Sequence, residues 1–198
     1  MAKNRFAVLL GVLFVASGAF AQQNDVAVSF GGTFTPGAEG LPICEVILTC
    51  PTTIVSRPLT SAFSVEGAYA HRLVNFRLAS LHLELPIMFS TGRNTGLLSP
   101  TFSTLFFTPS VRLKFLPSSG VSPFVSAGGG FARFNDSPTS DTKGAFQVGG
   151  GLDFKTRLPL LGFRIETRDF IAGPPSFTSL TNKHLNNLFV GGGIVLRF

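Results

Sequence analysis

Read backwards from Phe198, alternate positions of the chain are Leu196, Ile194, Gly192, Val190 and Leu188, and the positions between them are Arg197, Val195, Gly193, Gly191, Phe189 and Asn187. One set is nearly all apolar and the other is small, mixed or charged, the period of two that marks a β-strand with unlike faces. The same rhythm recurs seven times upstream. Asp25 to Phe34 sets Val26, Val28, Phe30 and Phe34 against Ala27, Ser29, Gly31 and Thr33, and Ser61 to His71 sets Phe63, Val65 and Tyr69 against Ser64, Glu66, Ala68 and Ala70. Further runs lie at Ala79 to Ile87, Thr101 to Leu116, Pro123 to Phe134, Lys143 to Lys155 and Leu161 to Arg168. Pro109 removes a ladder donor and predicts an irregularity in the fourth run, and Gly128 to Gly130 predicts a sharp bend in the fifth, whose facing stays open.

The connections alternate in length. Thr35 to Thr60, Ser90 to Pro100, Asn135 to Thr142 and Gly173 to Asn186 are long and polar or proline-rich, whereas Arg72 to Asn75, Pro117 to Val121 and Thr156 to Leu160 are tight turns. The last run, Asn187 to Phe198, is about the length needed to cross a bilayer at a tilt, roughly 9 to 11 residues, and long outer loops with short inner turns are the habit of membrane barrels. The pattern predicts an all-β fold, an eight-stranded antiparallel up-and-down transmembrane β-barrel. Charged residues are only 13% of the chain, so something other than water must face much of its surface. No run reaches the 18 or so apolar residues of a membrane helix, and without helices only a closed barrel satisfies the backbone in a bilayer. A soluble eight-stranded barrel would turn the apolar faces inward, where they would overfill the interior, and would leave a Gly, Ala and Ser face to solvent.

Lys3 and Arg5 precede an apolar run from Phe6 to Val15 and the triplet Ala19-Phe20-Ala21. This is the layout of a secretory signal peptide over residues 1–21, cleaved after Ala21, with the barrel domain over 22–198. The first strand then runs outward from the periplasm, and the loops around Cys44, Asn94, Ser137 and Asn182 lie outside. Without Lys3 and Arg5 the chain keeps 14 basic against 10 acidic residues and no basic cluster, which argues against nucleic acid as a partner. Cys44 and Cys50 sit together in the first loop, and in an exported chain such a pair reads as a disulfide, two free thiols being the alternative. No His, Asp or second cysteine pair stands at ligand spacing, so neither a metal nor a cofactor is expected.

The inward faces carry Glu66, His82, Glu84, Arg112, Lys114, Asp153, Arg164, Glu166 and Arg168, joined at the last strand by Arg197. Eight strands enclose a space just wide enough for side chains, so these groups are expected to pair across the lumen as a plug, or else to line a narrow ion path. Two sets could serve catalysis: Ser80, His82 and Glu84 on one strand face, and Asp169, Ser176 and His184 around the last loop. The first lies at mid-strand, where substrate access is poor, and the expectation is that the protein is not an enzyme. His71, beside a turn, reads as a solvated periplasmic residue. There are 22 Phe, one Tyr and no Trp. Phe30, Phe34, Phe63, Phe107, Phe115, Phe146, Phe154, Phe163 and Phe198 are expected to face lipid.

The signal sequence, the long and short rhythm, PFVSAGGGF at Pro123 to Phe131, FRIETRDF at Phe163 to Phe170 and the terminal aromatic together make the chain resemble small outer-membrane β-barrels of the OmpA/OmpX-like group. The resemblance covers 22–198 and implies a place in the bacterial outer membrane, as a monomer among outer-membrane lipids. It implies that Phe198, supported by Ile194 and Leu196, is read by the barrel assembly machinery after delivery by periplasmic chaperones. The peptidoglycan-binding domain of two-domain relatives has no counterpart after the barrel, so wall anchoring is not implied. Three roles follow: a structural or surface-interaction barrel whose loops meet an extracellular ligand, a narrow transporter of ions or small apolar molecules, and a lipid-modifying enzyme.

Overall fold

A computed structural model of the chain describes residues 23–35, 59–93, 102–136, 139–158, 160–174, 176 and 184–198. The signal segment with Ala21, the cysteine pair and most of the outer connections lie outside these residues. Among the described residues there are nine strands: β1 (Asn24–Thr35), β2 (Leu59–Asn75), β3 (Ala79–Arg93), β4 (Phe102–Phe107), β5 (Ser110–Phe115), β6 (Val121–Asp136), β7 (Thr139–Lys155), β8 (Leu161–Ala172) and β9 (Leu185–Arg197). Both β4 and β5 pair with β3 on one side and β6 on the other, so they are halves of a single stave interrupted at Thr108 and Pro109. The sheet is therefore an all-antiparallel barrel of eight staves, and β9 closes it on β1 from Asp25↔Arg197 to Phe34↔Leu188.

The hairpins reach farther than the alternation indicates. β2 continues to Asn75 through a register shift between Arg72 and Val74, β3 continues to Arg93, and β6 and β7 remain paired out to Asp136↔Thr139. Backbone pairing needs no apolar face, so ladders persist where the side-chain pattern has ended. In β6 the open facing is resolved: Phe124, Ser126, Ala132 and Phe134 point inward, Val125 and Phe131 outward.

Paired residues can be followed around the wall, from Asn24 through His71, Leu83, Val111, Ala127, Val148, Asp169 and Leu188 back to β1 at Phe34. The path returns ten residues above its start on the same strand, which is the shear of the barrel. With ~3.3 Å per residue along strands and ~4.8 Å between them, this shear over eight staves gives a tilt of about 40°. It also places Phe34 about 25 Å above Asn24, the height of the apolar band of an outer-membrane barrel. Between these levels the outer surface carries exposed Val28, Phe30, Phe63, Leu83, Ile87, Val111, Val125, Phe146, Phe163, Ile165, Val190 and Ile194. An apolar belt of that height around a closed sheet is a membrane-spanning surface.

Glycines on the inner face make the close coiling possible. A Cβ on Gly193 would lie 2.6 Å from Ser29 Cα across the closing seam, and one on Gly31 would lie 2.6 Å from Gly191 Cα, so backbone fills the space a side chain would need.

Candidate functional site

The interior is filled in two layers, and the strands show the division directly. Running outward, β8 presents Arg164, Glu166 and Arg168 and then Phe170 and Ala172; β3 presents His82 and Glu84 and then Met88; the β4 and β5 stave presents Lys114 and Arg112 and then Phe106. The periplasmic and middle part of the lumen is charged, and the outer part sets an apolar cluster beside buried hydroxyls and an amide at Thr33, Thr35, Ser64, Ser90, Thr104 and Asn187.

In the charged layer Asp25, Glu66, Glu84, Asp153 and Glu166 face Arg112, Lys114, Arg164, Arg168 and Arg197, five acids against five bases among the buried side chains of the described residues. Glu84 is the hub. Its Oε1 lies 3.3 Å from Arg112 Nη1, 3.4 Å from Arg164 Nη1 and 3.1 Å from Arg168 Nη2, and all four side chains are fully enclosed. Asp153 accepts from Lys114 Nζ at 2.6 Å and from Arg164 Nε at 2.8 Å, and Asp25 accepts from Arg112 Nη2 at 2.7 Å. Arg168 donates to Glu166 Oε2 at 2.8 and 3.0 Å and to Gln147 Oε1 at 3.3 Å, while Ser29 Oγ donates to Glu166 Oε1 at 2.5 Å. Glu66 comes within 3.0 Å of Arg168 Nε, but neither of its oxygens receives a well-aligned hydrogen bond. At the base the Phe124 ring lies under two guanidinium groups, 4.6 Å from Arg164 and 5.5 Å from Arg112.

These long side chains fit because the facing wall is bare. A Cβ on Gly149 would lie 2.7 Å from Arg168 Cγ, one on Gly151 2.8 Å from the Phe124 ring, and one on Gly162 2.8 Å from the Arg197 guanidinium. Small residues opposite large ones let an eight-stranded lumen close without voids.

Above the charges, Met88, Phe106, Ala132, Phe134, Ala145, Phe170, Ala172 and Phe189 form a continuous buried apolar cluster. The Phe106 ring packs 4.9 Å from Phe170 and edge-on at 6.3 Å from Phe134. Alternation places Phe189 inward, but it does not reveal that aromatics from four staves meet at one height. At the outer mouth, Ser176 donates its backbone N–H to Asp141 Oδ2 at 2.6 Å, and Lys143 Nζ bonds Ser176 Oγ at 3.0 Å and Asp141 Oδ2 at 3.1 Å.

Neither candidate catalytic set is assembled. Ser80 Oγ lies 2.9 Å from His82 Nε2, but His82 Nδ1 is buried without a partner and the Glu84 carboxylate is committed to three arginines. Asp169 pairs with Leu188, which puts it roughly 13 Å along the wall from His184, while Ser176 is held by Asp141 and Lys143. His71 is tied rather than merely solvated: its Nδ1 lies 2.8 Å from Asn24 Oδ1, which also accepts the Tyr69 hydroxyl at 2.8 Å. Among the described residues no group of His, Cys, Asp and Glu is placed to hold a metal. Ile194 and Leu196 face outward on β9, and Phe198 exchanges two backbone hydrogen bonds of 2.9 Å with Asn24.

No family model and no curated protein matches the chain. Solved structures do. Neisserial surface protein A superposes with a TM-score of 0.60 at 13% identity, over 88% of this chain and 97% of that one. The N-terminal β-barrel domain of Pseudomonas aeruginosa OprF gives 0.48 at 14% identity over 90% and 100%, and the outer membrane enzyme PagL 0.46 at 13% over 86% and 97%. At these identities the likeness to Neisserial surface protein A is one of fold, that of a small eight-stranded outer-membrane barrel.

Proposed function

We propose that this protein is a closed, non-conducting barrel of the bacterial outer membrane that serves as a rigid mount for an interaction surface formed by its outer segments. The observation that carries the reading is the doubly blocked lumen. A plug of paired acids and bases fills the lower and middle lumen, and on the outer side Phe106, Phe134, Phe170 and Phe189 pack beside Thr33, Ser64, Ser90 and Asn187, all buried, so side chains occupy the bore at both levels. Ion conduction needs an open aqueous path, and a bore packed with side chains opposes it. What a filled barrel offers instead is stiffness at the ends of its strands, and binding concentrates on loops held by such scaffolds. The longest stretch between two staves in the sequence separates Thr35 from Leu59, strand ends that this reading places on the outer side. Planar-bilayer recording of the pure protein tests this reading: the expected result is a silent membrane, and reproducible unitary steps would overturn it in favour of the transporter. Replacing His82 and His184 is expected to leave the outer-membrane lipid profile unchanged, and a changed profile would favour an enzyme.

A further inference from the structure

The apolar surface does not end with the belt. On the pairing path Ser80, Phe115 and Gly162 lie within about 2 Å of the level of Asn24, the belt's lower edge. Beyond them the chain turns back at 76–79, 116–120 and 156–160, and each turn carries leucine or phenylalanine. Leu78 is 70% exposed, Leu158 62% and Phe76 60%, each more than any large apolar side chain of the belt, where Phe63 reaches 58%; Leu116 and Leu160 are about half exposed. Headgroups fill roughly the first 5 to 7 Å outside the hydrocarbon, and the turns hang within that depth.

Cations stand among these side chains. Arg77 and Arg157 are exposed at the first and third turns, and exposed Lys155 donates from Nζ to the Pro117 carbonyl at 2.5 Å, joining the third turn to the second. The nearest carboxylates, Asp25 and Asp153, are turned into the lumen and held there by Arg112, Lys114 and Arg164. Among the described residues, therefore, no exposed acid answers the cations at this end. The three turns are also set apart around the wall, between β2 and β3, β5 and β6, and β7 and β8. A protein docking from one side would reach only part of such a ring, whereas a lipid leaflet surrounds all of it.

We propose that this rim is a binding collar for anionic phospholipid of the periplasmic leaflet, with Phe76, Leu78, Leu116 and Leu158 seated at the heads of the acyl chains and Arg77 and Arg157 on the phosphates. Zwitterionic headgroups bring an ammonium of their own to the phosphate, so they should be held less well. The collar rests on the outer-membrane placement and on β1 running outward, and is independent of what the outer segments bind.

The test uses the refolded barrel in phosphatidylcholine nanodiscs doped with phosphatidylglycerol or with phosphatidylethanolamine of the same chains, and native mass spectrometry reads the lipid retained. One cation near an anionic surface is worth about fivefold, so wild type is expected to retain phosphatidylglycerol at least fivefold over phosphatidylethanolamine. Arg77→Gln combined with Arg157→Gln should bring that ratio close to one. Arg133→Gln, which removes an exposed cation from the opposite end, should leave it unchanged. Phe76→Ser with Leu158→Ser should lower retention of both lipids at an unchanged ratio. Equal retention by folded wild type, a ratio that survives loss of the two arginines, or one that vanishes with Arg133→Gln would each overturn the collar. Two chains per disc that become one in the Phe76→Ser, Leu158→Ser variant, without a lipid preference in wild type, would assign the rim to a second copy and overturn it as well. Each protein is checked for faster migration unboiled than boiled, the sign of a folded barrel. Wild type that fails to shift would sink the membrane-barrel reading and the collar with it, whereas a folded barrel without the preference sinks the collar alone.

Discussion

The residue that most constrains the interior is Glu84, because three guanidinium groups converge on one fully enclosed carboxylate. Glu84→Gln keeps the shape and removes the charge, leaving Arg112, Arg164 and Arg168 in excess over their remaining acids. Breaking a buried pair from one side costs about 3–5 kcal/mol, and urea unfolding in lipid vesicles should show a loss of that order. A loss below about 1 kcal/mol, the range of exposed pairs, would mean that water reaches the cluster. At the outer mouth the charge is exposed and the effect is one of pH. Hydrogen bonds from the Ser176 side chain and backbone N–H, and then from Lys143, hold Asp141 down at about 2, below its ordinary value of 3.8. A depressed carboxylate contributes its tie above the unfolded value and loses it as pH falls through the folded one, so the hold on Ser176 should loosen between about pH 4 and pH 2. Hydrogen exchange of the Ser176 amide is the direct measurement. Asp141→Asn should show the fast exchange at every pH, and a pH-independent amide in wild type would contradict the assignment.

Among the elements, β9 carries two separable demands. Its inner face must allow the closing seam, where Gly193 meets the backbone of β1, and Gly193→Val is expected to stop closure outright because backbone cannot give way as a flexible side chain does. Its terminal Phe198 contributes backbone bonds to Asn24 that any residue could make, so a defect in Phe198→Ala with normal behaviour in Phe198→Tyr would isolate the aromatic side chain as what the assembly machinery reads. Semi-native electrophoresis of outer membranes measures the assembled fraction for each variant, and an unchanged fraction in Phe198→Ala would remove that role. The strands were legible in the sequence because a wall with lipid on one side and a packed lumen on the other writes itself as period two. Glu66, Glu84, Arg112 and Arg164 could be assigned inward on that ground alone. Period two gives a face and not a height, which is why the gathering of charges at the base and of aromatics in one outer cluster was hidden: it depends on a ten-residue shear that only pairing defines. Asp25 escaped notice as a network member for a related reason, since it lies at a strand start where alternation has barely begun, and yet it takes Arg112 at 2.7 Å. Asp169, grouped by sequence with the last loop, lies within β8 because that strand continues past the point where charge ends the apolar pattern.

For the whole molecule, the same shear ties the barrel to a particular membrane. Ten residues of β1, at ~3.3 Å each and tilted by about 40°, span about 25 Å between the levels of Asn24 and Phe34. The tilt cannot relax to fit a thicker bilayer, because changing it would break the register of every hydrogen-bonded pair around the closed wall. Tyr69, Asn24 and His71 mark the lower edge with polar groups bound to one another, and Asn186, Thr91 and Arg133 mark the upper edge, so neither rim can be drawn into hydrocarbon without desolvating them. A bilayer thicker than the belt must thin locally, at a fraction of a kcal/mol per ångström of mismatch. Folding yield and resistance to urea should therefore peak in vesicles of short-chain lipids, with a hydrocarbon core of about 25 Å, and decline steadily as the core approaches the ~30 Å of an average bilayer. Yields that rise with chain length instead would mean that the apolar surface is taller than the register implies.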